Sequence, residues 1–184
     1  IDMNGCTDKN AGKNNIILIG FMGSGKTTFG RWIEKNHGMK LIDTDKLISL
    51  QEEKSINAIF AEHGEEYFRN LETECVKSLN EQNTVNTVVS VGGGLPLREV
   101  NGQELHSLGI VVYLRAKVET LVKRLSHDKS RPLLAGGDVE AKINDLMGRR
   151  ASIYEERADL IIDTDDMSFE KMYGRIKEYE DSCN

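Results

Sequence analysis

The sequence holds no apolar run near the roughly eighteen residues that a membrane span requires, and its opening residues lack the charged, apolar and small-residue order of a secretory signal. Neither a membrane segment nor export is expected, and the protein reads as cytoplasmic. Cysteine is scarce. The three present, Cys6, Cys75 and Cys183, are odd in number and two of them lie in polar termini, the pattern of reduced thiols and not of a disulfide framework or a zinc site. The histidines, His37, His63, His106 and His127, share no ligand spacing. Positive charge is also short: 24 lysines and arginines face 30 aspartates and glutamates, a formal net charge of −6. That balance excludes a broad basic face for nucleic acid or anionic membrane, so any functional positive charge must be local. There is no internal repeat, low-complexity tract or linker. The 184 residues read as one domain and as a monomer, large enough to bury about 70% of the surface of the unfolded chain.

What is present is concentrated in Gly20-Phe21-Met22-Gly23-Ser24-Gly25-Lys26-Thr27-Thr28. The stretch satisfies G-x-x-x-x-G-K-[ST], with the apolar run Ile16 to Ile19 before it and a helical pattern at 28–36 behind it. The glycines let the backbone turn so that consecutive N–H groups point at one anion, and the first helical turn adds its free N–H groups and the positive end of its dipole. Gly23 to Thr28 are thus candidate ligands of a nucleotide triphosphate. Lys26 is placed to reach the outer phosphates, and the Thr27 hydroxyl to ligate a bridging Mg²⁺.

The rest of the chain alternates apolar strands with helices. After a first helix with Phe29, Trp32 and Ile33 on one face and Gly38 as its C-terminal cap, Leu41-Ile42 makes a second strand that ends in Asp43-Thr44-Asp45. Ligands of open α/β sheets bind outside the carboxyl ends of strands, which puts both aspartates in the crevice of the phosphate loop. The competing reading is that Asp45 caps the helix at 46–51. Ser55 caps a further helical stretch that Gly64 interrupts, and a helix at 65–79 buries Phe68, Leu71, Cys75 and Leu79. Arg69 and Glu72 lie side by side on it. Arg69 reads either as a solvated cation or as a fork held by Glu72 and aimed at a carboxylate or phosphate.

A third strand at 87–91 runs into Gly92-Gly93-Gly94, which permits close approach of a ligand or makes a tight turn before Leu95-Pro96-Leu97. A fourth strand at 110–114 precedes a helix at 118–125 that leaves Lys123 and Arg124 outward. Residues 127–138, with two glycines, a proline and Arg131, have the length and composition of a mobile lid. A long helix at 139–157 carries Ile143, Leu146, Met147 and Ile153 on its apolar face, with Arg149 and Arg150 adjacent. Leu160-Ile161-Ile162 is a fifth strand, and Ser168 caps a last helix. Residues 1–15 are polar and aperiodic and are expected to be a disordered tail outside the fold. Residues 16–184 then form one three-layer α/β/α domain with a five-stranded parallel sheet and a P-loop kinase fold.

From the residues alone the chain is a small-molecule phosphotransferase whose acceptor carries a negative group, because arginines 69 and 150 lie outside the phosphate cradle. A kinase of gluconate or of nucleoside monophosphates shares the architecture, and a nucleotide sensor without turnover is the non-enzymatic alternative. The residues alone do not say which acceptor, while Lys26, Asp45 and Arg131 together favour turnover.

The chain resembles the shikimate kinases from the phosphate loop to the final helix. The resemblance is carried by Gly20 to Lys26, Asp43-Thr44-Asp45, Phe60 through Gly64 and Glu65, Phe68-Arg69 with Glu72, Gly92-Gly93-Gly94, Arg131-Pro132-Leu133-Leu134, Arg150 with Tyr154, and Ala158-Asp159. It implies transfer of the γ-phosphoryl group of ATP to the 3-hydroxyl of shikimate, a carboxylated cyclohexene triol of aromatic amino-acid biosynthesis. On the same ground Asp45 accepts a hydrogen bond from the reacting hydroxyl as its candidate base, and Asp43 orders Mg²⁺. Arg69 and Arg150 clamp the carboxylate, and Gly92, Gly93 and Gly94 lie against the ring. Arg131 descends with the lid onto the phosphates, and Arg124 flanks the adenine. Two departures stand out: Ser152 occupies a place where many members have proline, and residues 163–167 contain no proline.

Overall fold

Five short parallel strands, each four to six residues long, carry the site at their carboxyl ends. The computed structural model describes residues 13–126 and 132–183. Among them the order is β1 (Ile16–Ile19), α1 (Lys26–His37), β2 (Lys40–Asp43), α2 (Thr44–Gln51), α3 (Ile56–Glu81), β3 (Thr87–Ser90), α4 (Glu99–Leu108), β4 (Ile110–Arg115), α5 (Val118–Leu125), α6 (Val139–Arg157), β5 (Leu160–Asp163) and α7 (Phe169–Ser182), with 3-10 turns at Leu95–Leu97 and Pro132–Leu134.

The sheet order is β2-β3-β1-β4-β5. Ile16 of β1 pairs with Val88 on one side and Ile110 on the other, so the phosphate loop after β1 and the glycine run after β3 emerge side by side. Alternation along β1 divides the core. Ile17 and Ile19 pack with Val76 and Leu79 of α3, Leu105 of α4, Leu121 of α5 and Ile143 of α6, while Ile16 and Leu18 pack with Phe29 and Ile33 of α1 and Met172 and Ile176 of α7. A third, smaller cluster joins Ile48 of α2 to Ile59, Phe68 and Cys75 of α3. This is the expected three-layer α/β/α arrangement.

Gly64 interrupts α3 as expected, at φ +82° and ψ 176°, a kink that divides the helix into two arms. Ser55 and Ser168 cap as expected, accepting from the backbone N–H groups of Ala58 and Lys171. The cap of α2 is Asp43 and not Asp45: the helix begins at Thr44, two residues earlier than its expected start at 46, and the Asp43 carboxylate accepts from Lys46 N at 3.2 Å.

Four expectations need correction. Asn15, assigned to the tail, is buried: its amide donates to the carbonyls of Thr84 and Leu108 at 2.7 and 2.9 Å, and its side-chain oxygen accepts from Thr87 N at 3.0 Å. A polar residue at a strand start reads as loop until the three backbone groups it satisfies are known. In the last turns of α6 the buried positions are Arg150 and Tyr154, whereas Ile153 is only half-buried. The stripe turns there to put polar groups toward the site. β3 ends at Ser90, one residue before its expected end. Cys183 is disulfide-bonded, contrary to the expectation of reduced thiols, since spacing along the chain does not say which thiols a fold brings within bonding reach. Cys75 is free and buried, and burial pushes its thiol up to about 11.

Candidate active site

The phosphate loop leaves β1 through three glycines with positive φ, Gly20 at +145°, Gly23 at +77° and Gly25 at +97°. At Gly20 a Cβ would also lie 2.6 Å from the Leu114 carbonyl, so the first glycine serves both turn and packing. Ser24 is buried, and its hydroxyl has no hydrogen-bond partner among the described residues. Lys26 opens α1 and is only 8% exposed; its ammonium folds back to donate to the carbonyls of Gly20 at 2.8 Å and Phe21 at 2.9 Å. Arg124, at the end of α5, donates to the Gly23 carbonyl at 2.8 Å and so closes over the loop.

Three oxygens meet at the strand ends beside it. The Thr27 hydroxyl donates to Asp43 Oδ2 at 2.9 Å and lies 3.0 Å from the Ser90 hydroxyl. Hard oxygen donors of this kind fit Mg²⁺. No group of three or more acidic, histidine or cysteine side chains among the described residues could hold a metal by itself, so such an ion would take its remaining ligands from phosphates and water.

The acceptor side is organised around Glu72, whose side chain is 1% exposed. It accepts from Arg69 Nη1 at 2.7 Å, and Arg69 also donates to Glu65 at 3.1 Å, one turn earlier on α3. Arg69 is therefore a positioned fork and not a solvated cation. Its guanidinium packs directly against Gly94, leaving no space for a side chain there. At Gly92 a Cβ would lie 2.6 Å from Asp45 Oδ1 and 2.8 Å from Glu72 Oε1, so this glycine is required by the approach of two carboxylates. Burial, opposed by Arg69 and reinforced by Asp45, raises the Glu72 carboxyl to about 7. Arg150 lies across from this group, 5% exposed, over the Phe21 ring at 5.8 Å. Its Nη1 is buried without a hydrogen-bond partner among the described residues, as is Glu72 Oε1. Buried donors and acceptors left open in this way mark the place of a ligand.

A cavity of about 540 Å³ is lined by residues 22–28 of the loop and by Asp43, Asp45, Gly92, Gly93 and Arg124. It brings together the expected phosphate, metal and reacting-hydroxyl groups. Arg69, Gly94 and Arg150 are not in its walls; they stand behind its acceptor end, joined to it through Glu72, Gly92 and Phe21. Arg131 and residues 127–131 of the expected lid lie outside the described residues. Its described remainder is held at its base, where Leu134 is buried in the main core and Lys142 donates to the Ala135 carbonyl at 2.5 Å.

Sequence reasoning missed Ser90, the pairing of Glu65 with Arg69, and the Thr164, Phe169 and Met172 wall of the cavity. Glu65 was readable, four residues before Arg69 on one helix. Ser90 is the polar end of an otherwise apolar strand, a weaker signal.

A family model described as shikimate kinase matches residues 22–179. A shikimate kinase of Chromobacterium violaceum is 40% identical over 162 residues, covering 88% of this chain and 87% of that protein. One from Clostridium botulinum is 42% identical over 152 residues, covering 82% of this chain and 88% of that protein. The solved shikimate kinase from Acinetobacter baumannii in complex with shikimate superposes with a TM-score of 0.85 at 35% identity, covering 92% of this chain and 93% of that one. The Bacteroides thetaiotaomicron enzyme superposes with 0.78 at 30% identity, covering 91% and 98%.

Proposed function

The chain belongs to the shikimate kinase family and phosphorylates shikimate with ATP, and from that premise we propose which of its residues perform the transfer. The observation that carries the proposal is the pair of open, buried polar groups, Arg150 Nη1 and Glu72 Oε1, behind the acceptor end of a phosphate-loop cavity, with Glu72 set against its Gly92 wall.

The loop N–H groups of Gly23 to Thr28 bind the phosphates, with Lys26 leaving its loop carbonyls for the outer phosphate oxygens. Arg124 covers the nucleotide side. Arg69 and Arg150 grip the shikimate carboxylate, and Gly92, Gly93 and Gly94 lie along its ring, which brings the 3-hydroxyl to Asp45. Asp45 accepts that hydrogen bond and takes the proton as the oxygen attacks the γ-phosphorus and the bond to the departing ADP oxygen breaks. A loose phosphoryl transition state requires positioning and charge stabilisation above all, and these side chains supply both. Thr27 and Asp43 would hold Mg²⁺, which when bound neutralises phosphate charge. Arg131 closes with the lid at 127–138 and excludes water from the transferring group.

The same reading makes residues 15–184 one catalytic domain, Asn15 included for its buried amide. It is a monomer in the cytoplasm with small molecules, and neither nucleic acid nor membrane, as partners. No described helix is long and apolar enough to cross a membrane.

A coupled assay for ADP release, run with shikimate, gluconate and AMP and with ATP alone, tests the proposal. Turnover with shikimate alone is expected. Turnover that is equal with gluconate, or that needs no acceptor, overturns it.

A further inference from the structure

Tyr154 is the largest polar side chain at the site without a part in the transfer. It is fully buried on α6, one helical turn beyond Arg150, and its ring packs on Tyr113 with centroids 5.2 Å apart. Its hydroxyl donates to the Gly93 carbonyl at 2.5 Å, a contact between residues 61 positions apart in the chain. Gly93 also abuts the phosphate loop: a Cβ on it would lie 3.3 Å from Met22 N and 3.6 Å from the Gly20 carbonyl. The peptide on the other side of Gly92 is held by Thr44, fully buried between the two aspartates, whose hydroxyl accepts from Gly92 N at 3.0 Å. The Gly92 and Gly94 carbonyls accept from Leu95 N and Leu97 N at 3.1 and 3.2 Å.

All three carbonyls of the glycine run therefore accept from protein donors. We infer that Tyr154 and Thr44 are positioning residues that fix the peptide planes of Gly92 and Gly93. They hold the acceptor-side backbone in register with the phosphate loop and with the helix bearing Arg150. A flexible glycine run has many backbone states, and two side-chain hydrogen bonds from different elements select one of them. The effect is on alignment of acceptor and phosphoryl donor, and not on the binding of ATP. This inference rests on the proposed acceptor site.

The test is steady-state kinetics of the full chain as Tyr154→Phe, which keeps the ring and its packing and removes only the hydroxyl, and as Thr44→Val, which keeps the shape and removes the acceptor for Gly92 N–H. Parent and variants are assayed together with varied shikimate and varied ATP, alongside their thermal midpoints. Each variant is expected to lower kcat/KM for shikimate by about tenfold or more while KM for ATP stays within about twofold. A merely structural role would lower the thermal midpoint and the active fraction and leave both KM values unchanged, which overturns the inference. So does a kcat/KM for shikimate within about twofold of the parent in either soluble variant. If Tyr154→Phe does not fold, Thr44→Val decides. A parent without turnover on shikimate would instead remove the functional reading itself, so the two failures are told apart in one experiment.

Discussion

Glu72 accepts the Arg69 guanidinium at 2.7 Å through one carboxylate oxygen while the other, Oε1, is buried with no hydrogen-bond partner among the described residues. The pair is one helical step long, yet its two halves do different work. Arg69 is aimed past Gly94, and Glu72 stands next to Asp45 and Gly92. A buried carboxylate with one ion-pair partner and one open oxygen is poorly compensated, and that imbalance raises its proton affinity.

The first prediction follows from the sign of that shift. Glu72 is raised from 4.5 in the unfolded chain to about 7 in the folded protein, so between these values the native state holds a proton that the unfolded state releases. Its stabilising contribution is full below the lower value and is lost as the pH rises through the upper one. Glu72→Gln stays neutral throughout. Urea unfolding of both proteins across this range should show the parent losing stability relative to the variant by up to about 3 kcal/mol as pH rises. A constant gap would show that Glu72 ionises as freely folded as unfolded.

Two glycine substitutions should behave oppositely. Gly92→Ala forces a methyl group against the Asp45 and Glu72 carboxylates and should lower turnover by about a hundredfold or more, an effect of ~2.7 kcal/mol. Gly148→Ala, on the exposed side of α6 with nothing within 4 Å of the new Cβ, should raise stability by about 0.5–1 kcal/mol and leave turnover unchanged. Kinetics and urea midpoints on both variants check the contrast.

Lys26→Ala should abolish turnover, and Lys26→Arg should fail nearly as badly. The compact ammonium donates to two loop carbonyls 2.8 and 2.9 Å away, and a wide planar guanidinium cannot replace it among phosphates. A Lys26→Ala variant within a few-fold of the parent rate would contradict the assigned role.

Arg69→Ala and Arg150→Ala should each lower kcat/KM for shikimate by at least about tenfold, ~1.4 kcal/mol, with little change in the KM for ATP. Near-neutral effects would return both residues to the protein surface in function, although Arg150 is only 5% exposed.

Much of this was legible in the sequence because the motifs depend on local spacing. The phosphate loop, the Asp43 and Asp45 pair, the Arg69 and Glu72 step and the break at Gly64 each require only neighbours within a turn or two. What was not legible depends on distant partners. Asn15 looks like tail until Thr84, Thr87 and Leu108 arrive at its amide, and Ser90 gains meaning only beside Thr27. The turn of the α6 stripe toward Arg150 and Tyr154 breaks the apolar rule at the place where polar groups face the site. A pattern of hydrophobic residues cannot report that.

The central claim is that the acceptor is held by its carboxylate between Arg69 and Arg150. It is tested most directly by comparing kcat/KM of the parent protein for shikimate and for shikimate methyl ester, in which a methyl group caps the carboxylate and removes its charge. Each lost charge-assisted hydrogen bond is worth ~1.5–3 kcal/mol, so the ester should be at least about tenfold poorer. An ester phosphorylated as efficiently as the acid would contradict the account.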